Sequence, residues 1–235
     1  MSNGYILYEG PSRLNGDPIV VIVTGVNRPS KNSKTGAMLQ VWIMCQDVSP
    51  VEAVKALPVF AGIYSRTPDS AICGDCKHKP SNLNSCYVNL GQAPLGIWKA
   101  YKRGIYPTAP KNWRSMHQGP VRWGAYGDPL AMPRGIFKVL RGDTAYTHQW
   151  RRFDPNGAMA SVDSKSEFIA LAVRGIDARA FRVTAEDDLW GDEIWCPATK
   201  EGGLKTNCVD CGLCAGVNGM SIAVMVHGST AGNFT

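Results

Sequence analysis

The sequence predicts an α/β protein: a small irregular or partial (β/α) barrel with an N-terminal β-rich layer. Three observations predict it. The first 50 residues are rich in β-branched and aromatic runs divided by turn residues. From Tyr87 onward short apolar runs recur, several separated by helical stretches, which is the pattern of βαβ units around a parallel sheet. The chain has 235 residues, 44% hydrophobic and 19% charged, so it can bury a full core without disulfide staples and is not a disordered composition. The expected organisation is a β-rich layer with a short helix over 1–57 and a cysteine-rich, barrel-like α/β unit over 58–235, packed as one compact body.

Three strands are expected at 5–8, 19–24 and 38–45, separated by Gly10-Pro11, by the turn Asn15-Gly16-Asp17-Pro18 and by a polar loop at 27–36. Ser49-Pro50-Val51-Glu52 then reads as a helix start. Ser49 is the N-cap, Pro50 stands at the first helical position, and the helix runs to Leu57 before Pro58. Further strands are expected at 87–90, 121–126, 144–147, 158–162, 180–184, 193–196 and 221–226. Helices are expected at 97–103, 133–140 and 166–174. The last carries a capping-box spacing, Ser164 to Glu167, and a natural stop at Gly175. No internal repeat is present, and no stretch approaches the roughly 18 uninterrupted apolar residues of a membrane helix. No secretory signal is visible at the start, so the expected location is the cytoplasm.

Eight cysteines in such a chain point to metal or redox chemistry, because a reducing compartment disfavours structural disulfides. Seven form two groups. The first is Cys73, Cys76 and Cys86. The second is Cys196, Cys208, Cys211 and Cys214. A C-x-x-C turn points two thiolates at one centre, and Gly74 and Gly212 relieve the backbone there. The C-x-x-C-x-x-C core of the second group is the ferredoxin-like arrangement for a [4Fe–4S] cluster, with Cys196 as the remote fourth ligand. Zinc would accept the same four thiolates. The first group has three cysteines, which leaves either an open iron or a Cys3His zinc site closed by His78. Cys45 lies in an apolar run and reads as buried packing.

Four polar residues, Asp128, His148, Asp163 and Glu186, each follow an apolar run. If the runs are neighbouring parallel strands, their side chains ring one mouth and act there as acid, base or ligand, with Arg182 pointing in or out by strand alternation. Between Asp75 and Asp128 there is no acidic residue, and Lys99, Lys102, Arg103, Lys111 and Arg114 alternate with aromatic residues. That pattern suits contact with nucleic acid or a nucleotide. A Walker-type loop and a dinucleotide fingerprint are both absent. His117 and His227 have no supporting neighbours.

Several motifs occur together: Ile72-Cys73-Gly74-Asp75-Cys76, Ser85-Cys86-Tyr87, Gly124-Ala125-Tyr126-Gly127-Asp128-Pro129, Tyr146-Thr147-His148-Gln149-Trp150, Trp195-Cys196-Pro197 and Cys208-Val209-Asp210-Cys211-Gly212-Leu213-Cys214. In this order they resemble a family of uncharacterised proteins of bacteriophages and other mobile elements, and more distantly the gene-product-eighty-eight type of phage protein. That resemblance implies a phage or mobile-element metalloprotein working in the cytoplasm of a bacterial host, and it supplies no activity. A looser similarity is to radical S-adenosylmethionine enzymes, which place a three-cysteine cluster on a partial barrel. It implies that Gly124 and Gly127 bind that cofactor. The spacing Cys73-x2-Cys76-x9-Cys86 departs from the C-x-x-x-C-x-x-C loop of those enzymes. Two functions are therefore expected as rivals. One is an iron–sulfur enzyme of redox or radical type. The other is a non-enzymatic, zinc-stabilised protein that binds host nucleic acid or a host protein.

Overall fold

The computed structural model describes residues 2–55, 67–117, 119–215, 218–228 and 230–234. Among them nine strands form one mixed sheet: β1 (Gly4–Pro11), β2 (Pro18–Thr24), β3 (Leu39–Cys45), β4 (Val121–Tyr126), β5 (Thr144–Thr147), β6 (Met159–Ser161), β7 (Ala180–Thr184), β8 (Ile194–Trp195) and β9 (Ile222–Met225). The strand order is β1-β2-β3-β4-β5-β6-β7-β9-β8, and the sheet is open, with β1 and β8 at its edges. The first three strands pair antiparallel, and every pairing from β3 onward is parallel. Five short helices connect them: α1 (Ser70–Cys73), α2 (Ala93–Lys102), α3 (Trp113–Met116), α4 (Lys165–Val173) and α5 (Cys208–Cys211).

The antiparallel part follows from local chemistry. Gly16 takes a φ of +85° in the first turn, where the Asn15 side chain accepts from the Asp17 N–H. β2 is apolar without alternation because both of its faces are covered, and Ile19 to Val23 are wholly buried. β3 then pairs with β2 on one side and β4 on the other, and one apolar core runs from β2 through Trp123 and Phe137 to Ala158. The N-terminal layer thus shares sheet and core with the cysteine-rich unit.

Three expected elements differ. Residues 51–54 form turns, not a helix. The Ala53 carbonyl accepts from the Asp69 N–H at 3.0 Å, a tertiary anchor that takes the place of a helical partner; 56 and 57 lie outside the described residues. Residues 133–140 make only a turn at 134–136, because Gly135 weakens a helix there and the Phe137 carbonyl is taken by the Asn156 side chain. Residues 87–90 are irregular, and Tyr87 instead stacks on His227. The capping box is formed in part. Ser164 accepts from the Glu167 N–H, while Glu167 reaches the N–H of Asp163, one residue before the cap. No helix among the described residues is long and apolar enough to cross a membrane.

Candidate metal centres on one cavity

Parallel strands send their C-terminal ends to one rim, and the loops that leave that rim enclose a cavity of about 470 Å³. Asp128 follows β4, His148 follows β5 and Asp163 follows β6, and all three line it. So do Gly124 and Gly127. Glu186 does not. It is exposed beyond β7, where its N–H binds the Thr184 hydroxyl in a turn that carries the chain outward. On β7 the cavity side is taken by Phe181 and Val183. Arg182 points to the opposite face, as strand alternation requires, and is buried against Glu193 and Asp188.

The first cysteine group sits in the crossover from β3 to β4. Cys73 ends α1, and Gly74 turns the chain with a φ of +58°. A Cβ at Gly74 would collide with the Gln149 side chain at 2.6 Å, so only glycine fits. Gln149 braces the loop through its amide, which donates to the Cys73 carbonyl at 3.2 Å and to Asp75 at 2.7 Å. The wholly buried Asp69 accepts from Thr67 and from both the N–H and hydroxyl of Ser81. Cys86 returns to the loop by donating its N–H to the His78 carbonyl. Cys73, Cys76 and Cys86 all line the cavity. Burial pushes the Cys73 and Cys86 thiols above their ordinary value, so a bound cation would have to displace their protons.

The second group joins the end of β8 to the last loop. Cys196 continues β8 by donating its N–H to the Ala223 carbonyl of β9. Asn207 caps α5, and Gly212 ends it in the left-handed region at φ +63°. The polar loop at 27–36 backs this helix. The Lys34 carbonyl accepts from the Cys208 N–H, and a Cβ at Gly36 would press on Val209 at 2.9 Å. Arg179 clamps the far end by donating to the carbonyls of Leu213, Ala215 and Met220. Cys196, Cys208, Cys211 and Cys214 line one small cleft, and three of them, Cys196, Cys208 and Cys214, also reach the large cavity. Burial pushes the Cys214 thiol up to about 12, with the Tyr146 hydroxyl opposing.

All eight cysteines are free thiols. Among the described residues the metal-type ligand atoms that come within 4.8 Å of one another are those of His78, His148 and Asp163, and the cysteine sulfurs form no such group. His78 therefore does not close the first cysteine group. Its Nε2 lies 2.9 Å from the Asp163 carboxylate and its Nδ1 2.7 Å from the Ser85 hydroxyl. Arg122 lies between the groups, with Cys86 and Cys208 both among its electrostatic neighbours and a hydrogen bond to the Tyr87 hydroxyl. The donor set fits thiolate-bound metal. The Tyr126 hydroxyl at the cavity wall is buried without a partner among the described residues, and Cys73 and Cys86 are its neighbours.

Asp128 is a buried acceptor and not a free carboxylate. It takes the Leu130 N–H, the Thr147 hydroxyl and the His148 N–H at 2.8–3.0 Å. Burial raises its pKa while these donors oppose the rise. The glycines beside it answer to the backbone. Gly124 and Gly127 both have positive φ, and a Cβ on Gly127 would meet the Ile43 carbonyl at 2.7 Å. Burial works against a charged His148, but Cys76 and Asp163 hold its pKa well above the ordinary value. Burial likewise works against an ionised Asp163, and the two histidines bring its pKa below the usual carboxylate range.

The basic residues lie away from the cavity. Lys99, Lys102, Arg103 and Lys111 are exposed on and after α2, and Arg114 is spent on the buried Asp143 at 2.6 Å. Trp98 anchors α2 by donating to the Cys45 carbonyl. Sequence reading missed Asp69, Gln149, Asp143 and the His78–Asp163 pair. Each acts across 12 or more residues of chain, where spacing carries no signal. Comparison with protein-family models, with curated proteins and with solved structures gives no match.

Proposed function

We propose that this chain is an iron–sulfur enzyme on a partial (β/α) barrel, with redox or radical-type activity on a substrate held in the 470 Å³ cavity. One observation carries the reading: both cysteine groups open onto that single cavity. A cubane accepts three- and four-thiol sets of this kind, because each thiolate binds a different iron. Cys196, Cys208, Cys211 and Cys214 would hold a complete [4Fe–4S] cluster, and Cys73, Cys76 and Cys86 one with an iron free for a ligand. Such clusters supply one-electron transfer when bound.

The chain's own residues do the rest. Gln149 and Asp69 hold the first loop, and Arg122 places a cation between the two thiol groups. Phe181, Val183 and Val224 give the cavity an apolar side. Asp128 fixes the backbone of His148 at the rim. The first cysteine group follows the first parallel strand, and Gly124 and Gly127 follow on the second. This order supports S-adenosylmethionine as a ligand to test.

The experiment is anaerobic purification with metal analysis. About eight irons and eight acid-labile sulfides per chain, with absorption near roughly 400 nm, are expected for two clusters. Cys211→Ser should remove about half of both. Adding S-adenosylmethionine to the reduced protein should change its electron paramagnetic resonance if that ligand binds the open iron. Stoichiometric zinc without visible absorption would overturn the reading. It would favour a zinc-stabilised binding protein, whose supporting observation is the exposed basic run of Lys99, Lys102, Arg103 and Lys111.

A further inference from the structure

Asp163 presents one carboxylate oxygen, Oδ1, to two imidazoles. His78 Nε2 lies 2.9 Å from it and His148 Nε2 lies 3.4 Å from it. We propose that His78, His148 and Asp163 form a divalent-metal site built from nitrogen and oxygen donors, beside the first cysteine group.

Geometry is the first support. A first-row cation with bonds of about 2.1 Å sets its ligands about 3.0 Å apart in an octahedron and about 3.4 Å apart in a tetrahedron. The observed separations of 2.9 and 3.4 Å lie close to that range, and all three ligand atoms lie within 4.8 Å of one another. The donor types are the second support. Two imidazoles and one carboxylate on one face suit zinc or iron(II) and leave coordination positions open.

The third support is the surrounding shell. Three separate segments deliver the ligands: the cysteine loop, the end of β5 and the end of β6. The Ser85 hydroxyl binds His78 Nδ1 at 2.7 Å, and Asp128 and Glu167 fix the backbone N–H groups of His148 and Asp163. Metal-binding histidines are oriented as His78 is, by a partner on the other ring nitrogen. The side chains are 11%, 25% and 14% exposed, and all three border the cavity. The open positions therefore face the space in which a substrate would sit, and they would take its oxygen or nitrogen donors. Phe234 stacks on His78 at 4.9 Å and shields it from the other side.

Mn²⁺ is the probe, because it prefers these donors to thiolates. The test uses anaerobically purified full-length protein with its cysteine-bound metal in place. Titration should remove one equivalent of Mn²⁺ from the free-ion resonance signal. Asp163→Asn and His148→Ala should each weaken binding by well over about tenfold, and Ser85→Ala by about tenfold, with iron and sulfide unchanged. Co²⁺ bound there should show weak visible bands without the intense absorption of cobalt–thiolate bonds. Three results would each overturn the proposal: no Mn²⁺ bound by the wild-type protein, undiminished binding in the variants, or a thiolate signature for the bound cobalt. Retained binding in Asp163→Asn and His148→Ala would reduce the trio to a hydrogen-bonded brace. Iron and sulfide are read separately, so the two-cluster reading can fail while this site stands.

Discussion

Cys45 and Cys214 are both buried thiols raised to about 12, yet their surroundings differ. Cys214 shares a cleft with three other cysteines, whereas Cys45 sits in β3 and donates to the Pro68 carbonyl at 3.2 Å. For Cys45 burial is the main cause of the rise, followed by the charge of Asp69. The thiolate is the reactive form, so Cys45 should resist iodoacetamide at pH 8 in the folded protein and react once it is unfolded. Peptide mass spectrometry reads this directly, and labelling at the rate of an exposed cysteine would contradict it. Asp128 makes a second case at this scale. Its replacement by alanine strands the Leu130 and His148 N–H groups in the interior, at about 1–3 kcal/mol for each buried donor. Asp128→Ala should therefore lower stability in urea unfolding by about 2–6 kcal/mol. Unchanged stability would mean that the carboxylate is free for chemistry after all.

The β7–β8–β9 edge is held by a buried ion pair. Arg182 donates to both oxygens of Glu193 at 2.8–3.1 Å and to Asp188 at 3.0 Å, and its guanidinium lies 3.8 Å over the Trp190 ring. Glu193 directly precedes β8, and β8 runs into Cys196. Arg182→Ala would leave the Glu193 carboxylate buried and unpaired, a loss of about 3–5 kcal/mol in denaturant unfolding. Arg182→Lys should recover only part of it, because an ammonium cannot reproduce the fork. If the cysteine groups hold metal as proposed, the alanine variant should also lose it from the second group before the first, because β8 positions Cys196. Metal content measured during partial unfolding would show that order, and simultaneous loss from both groups would count against it.

At the scale of the molecule, consecutive parallel strands bring distant segments to one rim. The price in local freedom falls on the glycines. Gly127 has a φ of +81°, and a Cβ there would stand 2.7 Å from the Ile43 carbonyl and 2.8 Å from its Cβ. Gly127→Ala should cost about 1–2 kcal/mol from the left-handed backbone alone, and more from the contact with β3. Thermal unfolding checks it. A variant as stable as the parent would show that β3 and the β4 turn can separate without loss.

Local signals were enough for every expected strand but the one at 87–90, because apolar runs bounded by glycine, proline and asparagine declare themselves within a few residues. The first turn at Asn15-Gly16, the cap at Ser164 and the C-x-x-C turns are of this kind, as is the α/β class. The expected helices failed at 133–140 and over the described residues from 49 to 55, because a carbonyl in each was claimed by Asn156 or Asp69, 16 or more positions away. The candidate site divides in the same way. Thiol spacing announced two groups, and the position of Asp128, His148 and Asp163 after apolar runs announced a rim. That both groups open onto one cavity, that Arg122 lies between them, and that His78 turns from the cysteines toward Asp163 were decided by the tertiary structure alone. Periodicity and spacing describe a chain's neighbours along itself. Which side chain shares a cavity with which depends on strand order and crossover, and these are settled by burying the whole sheet at once.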